Sequence, residues 1–204
     1  MSNDFYKAIQ RFIDSFLERT LFFLIPDWIK PNAFSWFRIA LVPVVVILIM
    51  ADFWFWGAIA FVGAALLDSL DGALARRRGQ ISKDGLILDP LADKLLVGLT
   101  LLVVLFDYPF TSLILSIAGL EASMAFLALM IKKSGMTPRP ANIWGKTKML
   151  LQSLGVLAIF LWQIYDSLYF LSISATLLWF SLVFLIISAI DFTWNKGSKL
   201  YKNQ

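Results

Sequence analysis

The chain has 204 residues, 59% of them hydrophobic, with 18 Lys+Arg against 14 Asp+Glu. A mean hydropathy of +0.76 is too apolar for an ordinary soluble domain and points to a polytopic α-helical membrane protein. Cysteine and histidine are both absent, which excludes disulfides, thiolate nucleophiles, imidazole bases and any metal held by Cys or His. A general base or metal ligand is then a carboxylate, another oxygen donor or a lysine.

Residues 4–21, DFYKAIQRFIDSFLERTL, put Phe5, Ile9, Phe12, Ile13 and Phe16 on one helical face and Lys7, Arg11, Asp14 and Glu18 on the other. This pattern predicts an amphipathic helix lying in the membrane interface. It lacks the compact apolar core and small-residue cleavage site of a signal peptide. Pro26 and Pro31 punctuate the turn that follows. Six spans are predicted, at 33–51, 57–76, 85–106, 110–131, 145–164 and 168–190. The connections at 52–56, 107–109 and 165–167 contain no lysine or arginine. Those at 77–84 and 132–144 carry Arg77, Arg78, Lys83, Lys132, Lys133 and Arg139; the N-terminal segment carries Lys7, Arg11, Arg19 and Lys30, and the tail Lys196, Lys199 and Lys202. The asymmetry predicts both termini in the cytoplasm. It also accounts for the net charge of +4 without a nucleic-acid partner, and none is expected. The expected organisation is an interfacial segment over 1–30, a six-helix transmembrane domain over 31–191 and a basic cytoplasmic tail over 192–204. The tryptophans near helix ends, Trp28, Trp54, Trp56, Trp144 and Trp194, suit an aromatic belt.

Four aspartates interrupt this apolar sequence. Asp68 and Asp71 are spaced i, i+3 on the second predicted span, and Asp89 and Asp93 i, i+4 on the third. Each pair therefore shares a helix face. Both pairs are nearly symmetric about residue 80, in the polar stretch RRGQISKD. In an antiparallel hairpin all four carboxylates would arrive about 10–15 Å from the cytoplasmic turn. Carboxylates converging in a low dielectric repel one another unless protonated or neutralised. Three readings follow from the spacing: one or two hard divalent cations held by oxygen ligands, an ion or proton pathway, and structural pairing with Arg38, Arg76 or Lys94. Gly72 and Ala75, each four residues after an aspartate, leave that face with little side-chain bulk. This suits either close helix packing or a ligand beside the carboxylates.

The run Asp68-x-x-Asp71-Gly72-x-x-Ala75-Arg76, then Gly85-x-x-x-Asp89-x-x-x-Asp93, resembles the signature of the CDP-alcohol phosphatidyltransferase family, with every position filled. The resemblance implies a six-span membrane enzyme that displaces CMP from a CDP-linked lipid alcohol and joins the phosphatidyl group to an acceptor hydroxyl. It implies Mg²⁺ or Mn²⁺ as cofactor, held by Asp68, Asp71, Asp89 and Asp93, with Asp93 completing the cluster or acting as base. It places Gly72, Ala75, Arg76 and Gly85 around the CDP-lipid, and it implies a homodimer in the lipid bilayer. Compactness and the lack of a transit-peptide pattern lean towards a bacterial cytoplasmic membrane.

Three further stretches bear on the acceptor. IKPNAFSWFR, DPLADK at 89–94, and WGKTK at 144–148 followed by Gln152 resemble segments of the phosphatidylglycerophosphate synthases of that family. They favour glycerol 3-phosphate, with Arg38, Arg139, Lys146 and Lys148 as candidate phosphate ligands; all four also suit membrane-flanking positive charge. One departure stands against this. The fourth span of those enzymes opens with an Arg-Glu pair, and this chain has Leu120-Glu121. Phosphatidylglycerol, serine, inositol and inositol phosphate therefore stay open as acceptors. A transporter built on the carboxylates would show broken helices or inverted repeats. Only Pro90 lies in the acidic hairpin, and no matching copy follows.

Overall fold

A computed structural model describes residues 32–78, 85–133 and 143–200, without the side chains of 32–33, 68–78, 85–90, 132 and 193–200. The predicted interfacial helix, the polar turn after Arg78 and Arg139 lie outside the described residues. Everything described is helix or short turn. The helices are α1 (Asn32–Met50), α2 (Trp54–Arg78), α3 (Gly85–Val104), α4 (Thr111–Lys133), α5 (Ile143–Tyr165) and α6 (Leu168–Leu200). Three contain stretches long and apolar enough to cross a membrane: Thr111–Ile131, Ile143–Tyr165 and Leu168–Phe192. Phe34–Met50 and Trp54–Leu67 are shorter apolar helices; in α2 the unbroken apolar run stops where Asp68 begins the acidic face. α6 runs to Leu200, past the predicted end at 190. Gly197 is the one strong helix breaker in that extension, and a single interior glycine costs only about 1 kcal/mol.

Two of the connections without lysine or arginine are built on aspartate where glycine is usual. After α1, Asp52 takes φ 59°. Its N–H donates to Ile49 O at 3.0 Å, while the Phe53 N–H reaches Leu48 O at 2.8 Å. This pair of bonds is a Schellman cap with Asp52 in the left-handed position, which aspartate tolerates better than most side chains. Asp166, at φ 48°, takes the same left-handed conformation between α5 and α6.

Aromatic side chains gather at this end of the bundle. Trp54 of α2 meets Phe160 of α5 edge-on at 6.3 Å, and Tyr108, in the α3–α4 turn, meets Trp162 at 6.0 Å. Tyr108 is 2% exposed, and its Oη lies 2.8 Å from Ser174 Oγ of α6. Ser174 donates its one proton to Leu171 O, at 2.7 Å, so Tyr108 is the donor to Ser174. Burial pushes its phenol pKa up, against the Ser174 hydrogen bond, which keeps that donor in place. Below this layer a single apolar core joins all six helices, with Val45, Phe61, Leu101, Ile114, Ile159 and Leu178 among its members. α5 and α6 pack most extensively, and α1 packs on both α2 and α3. Gly155 allows the α5–α6 approach: a Cβ there would lie 2.9 Å from Leu178 Cδ2.

Candidate active site

Opposite the aromatic end, charged side chains enter the bundle. Arg38 lies in the second turn of α1 and is fully buried. Its Nη1 donates to Asp93 Oδ1, in the third turn of α3. The two are 55 residues apart in sequence, so this ion pair exists only through the packing of α1 on α3. The pairing is asymmetric: the Asp93 side chain is 36% exposed and the Arg38 side chain 0%. The carboxylate is therefore gripped by a buried guanidinium while part of it stays accessible. Ser35, one turn before Arg38, is also fully buried, so the buried face of α1 is polar here and apolar from Val42 onward.

A second charged group joins α3, α4 and α5. Lys148 Nζ donates to Glu121 Oε1, and Lys94 Nζ stands 3.9 Å from Glu121 Oε2. Lys148 is 7% exposed and Gln152, one turn on, is 3% exposed. Lys94 and Asp93 are neighbours in sequence but point about 100° apart around the helix. Asp93 therefore faces α1 while Lys94 turns to α4.

The predicted site residues distribute as follows. Asp68, Asp71, Gly72, Ala75 and Arg76 lie on α2, and Gly85 and Asp89 at the start of α3. Their side chains are outside the described residues, and the expected convergence of the four carboxylates lies there with them. Asp93 stands at the polar end, held by Arg38. Of the four candidate phosphate ligands, Arg38 and Lys148 are each buried against a carboxylate, in separate ion pairs. Lys146 is exposed and two positions from Lys148, which turns it well away from Lys148 around α5. Glu121 is claimed by Lys148 and Lys94, pairings that spacing along the chain does not dictate. The i, i+4 spacing of Lys148 and Gln152 is the one sequence signal of a shared buried face.

The donor set of the signature is entirely carboxylate oxygen, which suits a hard divalent cation and no soft one. Among the described residues no group of three or more acidic side chains is assembled; the side chains of three of the four aspartates lie outside that description.

Residues 28–187 match the family described as CDP-alcohol phosphatidyltransferase. The chain is 29% identical over 177 residues to the CDP-diacylglycerol–glycerol-3-phosphate 3-phosphatidyltransferase of Aquifex aeolicus, covering 83% of this chain and 96% of that protein. It is 30% identical over 178 residues to the Bacillus subtilis protein of the same name, covering 79% and 92%. A third such protein, from Pectobacterium atrosepticum, is 33% identical over 145 residues, covering 65% and 76%. With the match reaching all six helices, this chain belongs to the CDP-alcohol phosphatidyltransferase family.

Proposed function

We propose that this protein transfers the phosphatidyl group of CDP-diacylglycerol to a hydroxyl of glycerol 3-phosphate, with release of CMP, in phospholipid synthesis. The observation that carries this reading is Asp93, the last aspartate of an unbroken signature, oriented by a buried arginine and still partly exposed. The names of the full-length relatives support glycerol 3-phosphate over the other acceptors, despite the leucine at position 120.

In this reading the acceptor hydroxyl oxygen attacks the phosphorus of the phosphatidyl group. A new P–O bond forms, the bond to the bridging oxygen of CMP breaks, and CMP departs with that electron pair. The hydroxyl proton passes to the Asp93 carboxylate. Arg38 fixes which oxygen of Asp93 faces the acceptor. Asp68, Asp71, Asp89 and Asp93 would hold Mg²⁺ or Mn²⁺, which when bound supplies countercharge to the pyrophosphate. Gly72, Ala75, Arg76 and Gly85 would lie along the CDP moiety.

The six helices are read as six spans, with residues 1–30 at the interface, 31–191 as the catalytic domain and 192–204 as a basic tail. Termini and active site then face the cytoplasm of a bacterial membrane, and the working form is a homodimer. The basic connections after α2 and α4 support this orientation.

The test is CMP release by purified protein in detergent, with CDP-diacylglycerol, Mg²⁺ or Mn²⁺, and one acceptor at a time. Release with glycerol 3-phosphate that chelation abolishes is the expected result. Release only with phosphatidylglycerol, serine or inositol would overturn the acceptor, and no release with any acceptor would overturn the activity.

A further inference from the structure

Between α3, α4 and α5 lies a cleft of about 160 Å³. Val97, Leu101, Ile114, Ile117 and Met149 make most of its lining apolar. Gly98 lines it too, and a Cβ added there would meet nothing within 4 Å. From Lys94 to Leu102 the cleft follows α3 for about two turns, or about 12 Å. Leu102 is 41% exposed, so the cleft opens sideways there. Beside it on α4 runs the Thr111–Ile131 stretch, long and apolar enough to cross a membrane. An occupant therefore enters from lipid rather than from water.

The Lys94 end is polar and carries two buried atoms that make no hydrogen bond among the described residues. One is an acceptor, Glu121 Oε2. The other Glu121 oxygen takes the Lys148 bond, and Lys94 Nζ stands off Oε2 at 3.9 Å. The second atom is a donor, Nε2 of Gln152, a residue 3% exposed. Both sit at the end of soft terminal torsions, so each can turn towards an occupant. A buried donor and acceptor left unmet are destabilising, and the pair selects the chemistry that meets them. A carboxylate or phosphate accepts from Gln152 and Lys94 but offers Glu121 nothing. An ammonium donates to Glu121, leaves Gln152 unmet and adds a cation beside two lysines. A hydroxyl serves both, donating to Glu121 Oε2 and accepting from Gln152 Nε2. Water does the same but wets the apolar walls; a hydroxyl on a hydrocarbon stem keeps them dry. Lys94, 47% exposed and only loosely held by Glu121, keeps donors for an uncharged acceptor such as an ester carbonyl.

We propose that this cleft binds a neutral lipid alcohol of the diacylglycerol class. The free hydroxyl bridges Glu121 and Gln152, an ester carbonyl accepts from Lys94, and hydrocarbon lies along α3 and leaves past Leu102 into the bilayer. The ligand does not react. Neither Arg38 nor Asp93 lines the cleft, and Lys94 points away from Asp93 around α3. The site therefore stands independently of the phosphatidyl-transfer reading. Its effect is to tie α4 to α5 at the two atoms that otherwise go unmet.

Two measurements test it on the full chain, purified in lauryldimethylamine oxide, a detergent without a hydroxyl. In the first, 1,2-dioctanoylglycerol should raise the thermal midpoint by about 2–4 °C. The same lipid with its hydroxyl acetylated keeps the hydrocarbon and esters and should give no shift. An equal shift from both, or none from either, overturns the proposal; with none, water is the occupant. This comparison needs no variant, so it decides even where a substitution does not fold. In the second, diacylglycerol carrying a diazirine on one chain is irradiated with the protein, and labelled peptides are mapped. Label on the α3 and α4 segments facing the cleft is expected. Gln152→Leu should lower it about tenfold and Gly98→Leu should abolish it. Gly119→Leu, also open around its Cβ but outside the cleft lining, should leave it unchanged. Label elsewhere, or label indifferent to Gln152→Leu, overturns the site. So does label displaced equally by CDP-diacylglycerol, which would give the cleft to a different lipid. CMP release is read by neither measurement, so the site and the transfer reading fail separately.

Discussion

At the level of single residues, the Arg38–Asp93 pair sets two proposed roles for Arg38 against each other. An arginine gripping the acceptor phosphate and an arginine orienting the base are both cations at the start of α1. Arg38→Lys keeps the charge but loses the planar fork that fixes a carboxylate. If Arg38 positions Asp93, Arg38→Lys should lower kcat about tenfold while KM for glycerol 3-phosphate stays within about twofold. A large rise in that KM with kcat unchanged would return Arg38 to the acceptor. Asp93→Asn should lower kcat about a hundredfold or more, the usual worth of a general base, with CDP-diacylglycerol binding retained in a direct binding assay. The aspartates themselves were legible in the sequence, because charges in an apolar run are unfavourable there and stand out. Their partners were not. Arg38 lies 55 residues from Asp93, and Lys148 lies 27 residues from Glu121; no local periodicity links such positions.

At the level of helices, the most extensive packing is between α5 and α6. Gly155 faces Leu178, which is fully buried and lies against the site of the missing Cβ. Gly155→Val should therefore destabilise the protein by about 1–3 kcal/mol through overpacking, read as a lower thermal midpoint in detergent. Leu178→Ala in the same chain should recover part of that loss, a coupling expected only of residues in contact. Additive losses would mean that the two helices do not meet there. Helix positions were readable from hydrophobic runs and charged breaks, and the described helices begin and end within a few residues of the expected bounds for α1, α3, α4 and α5. α6 departs from this, since hydropathy marks where a helix leaves the apolar phase and not where its hydrogen bonding stops. The left-handed aspartates were equally hidden: Asp52 and Asp166 read as loop residues, and only backbone geometry reveals their conformation.

At the level of the whole molecule, the two ends of the bundle differ in chemistry, with aromatic packing around Tyr108 at one and ion pairs at the other. The chain has no native cysteine, so single cysteines report sidedness directly. Phe53→Cys, Phe106→Cys and Tyr165→Cys, all at exposed positions, should react with an impermeant maleimide from one side of sealed vesicles of known orientation. Lys133→Cys should react only after permeabilisation. Lys133→Cys labelling together with the other three would overturn the six-span arrangement. The all-helical class, the split between basic connections and those without lysine or arginine, and the family signature are all readable from the chain alone, because each is written in local spacing or in residue chemistry. Which cation serves which carboxylate is not, nor is the burial of Arg38 and Lys148 in separate pairs, nor the apolar cleft that α3, α4 and α5 leave beside Lys94. Those outcomes follow from how helices distant in sequence rotate against one another, and a helix's rotation is set by its packing partners.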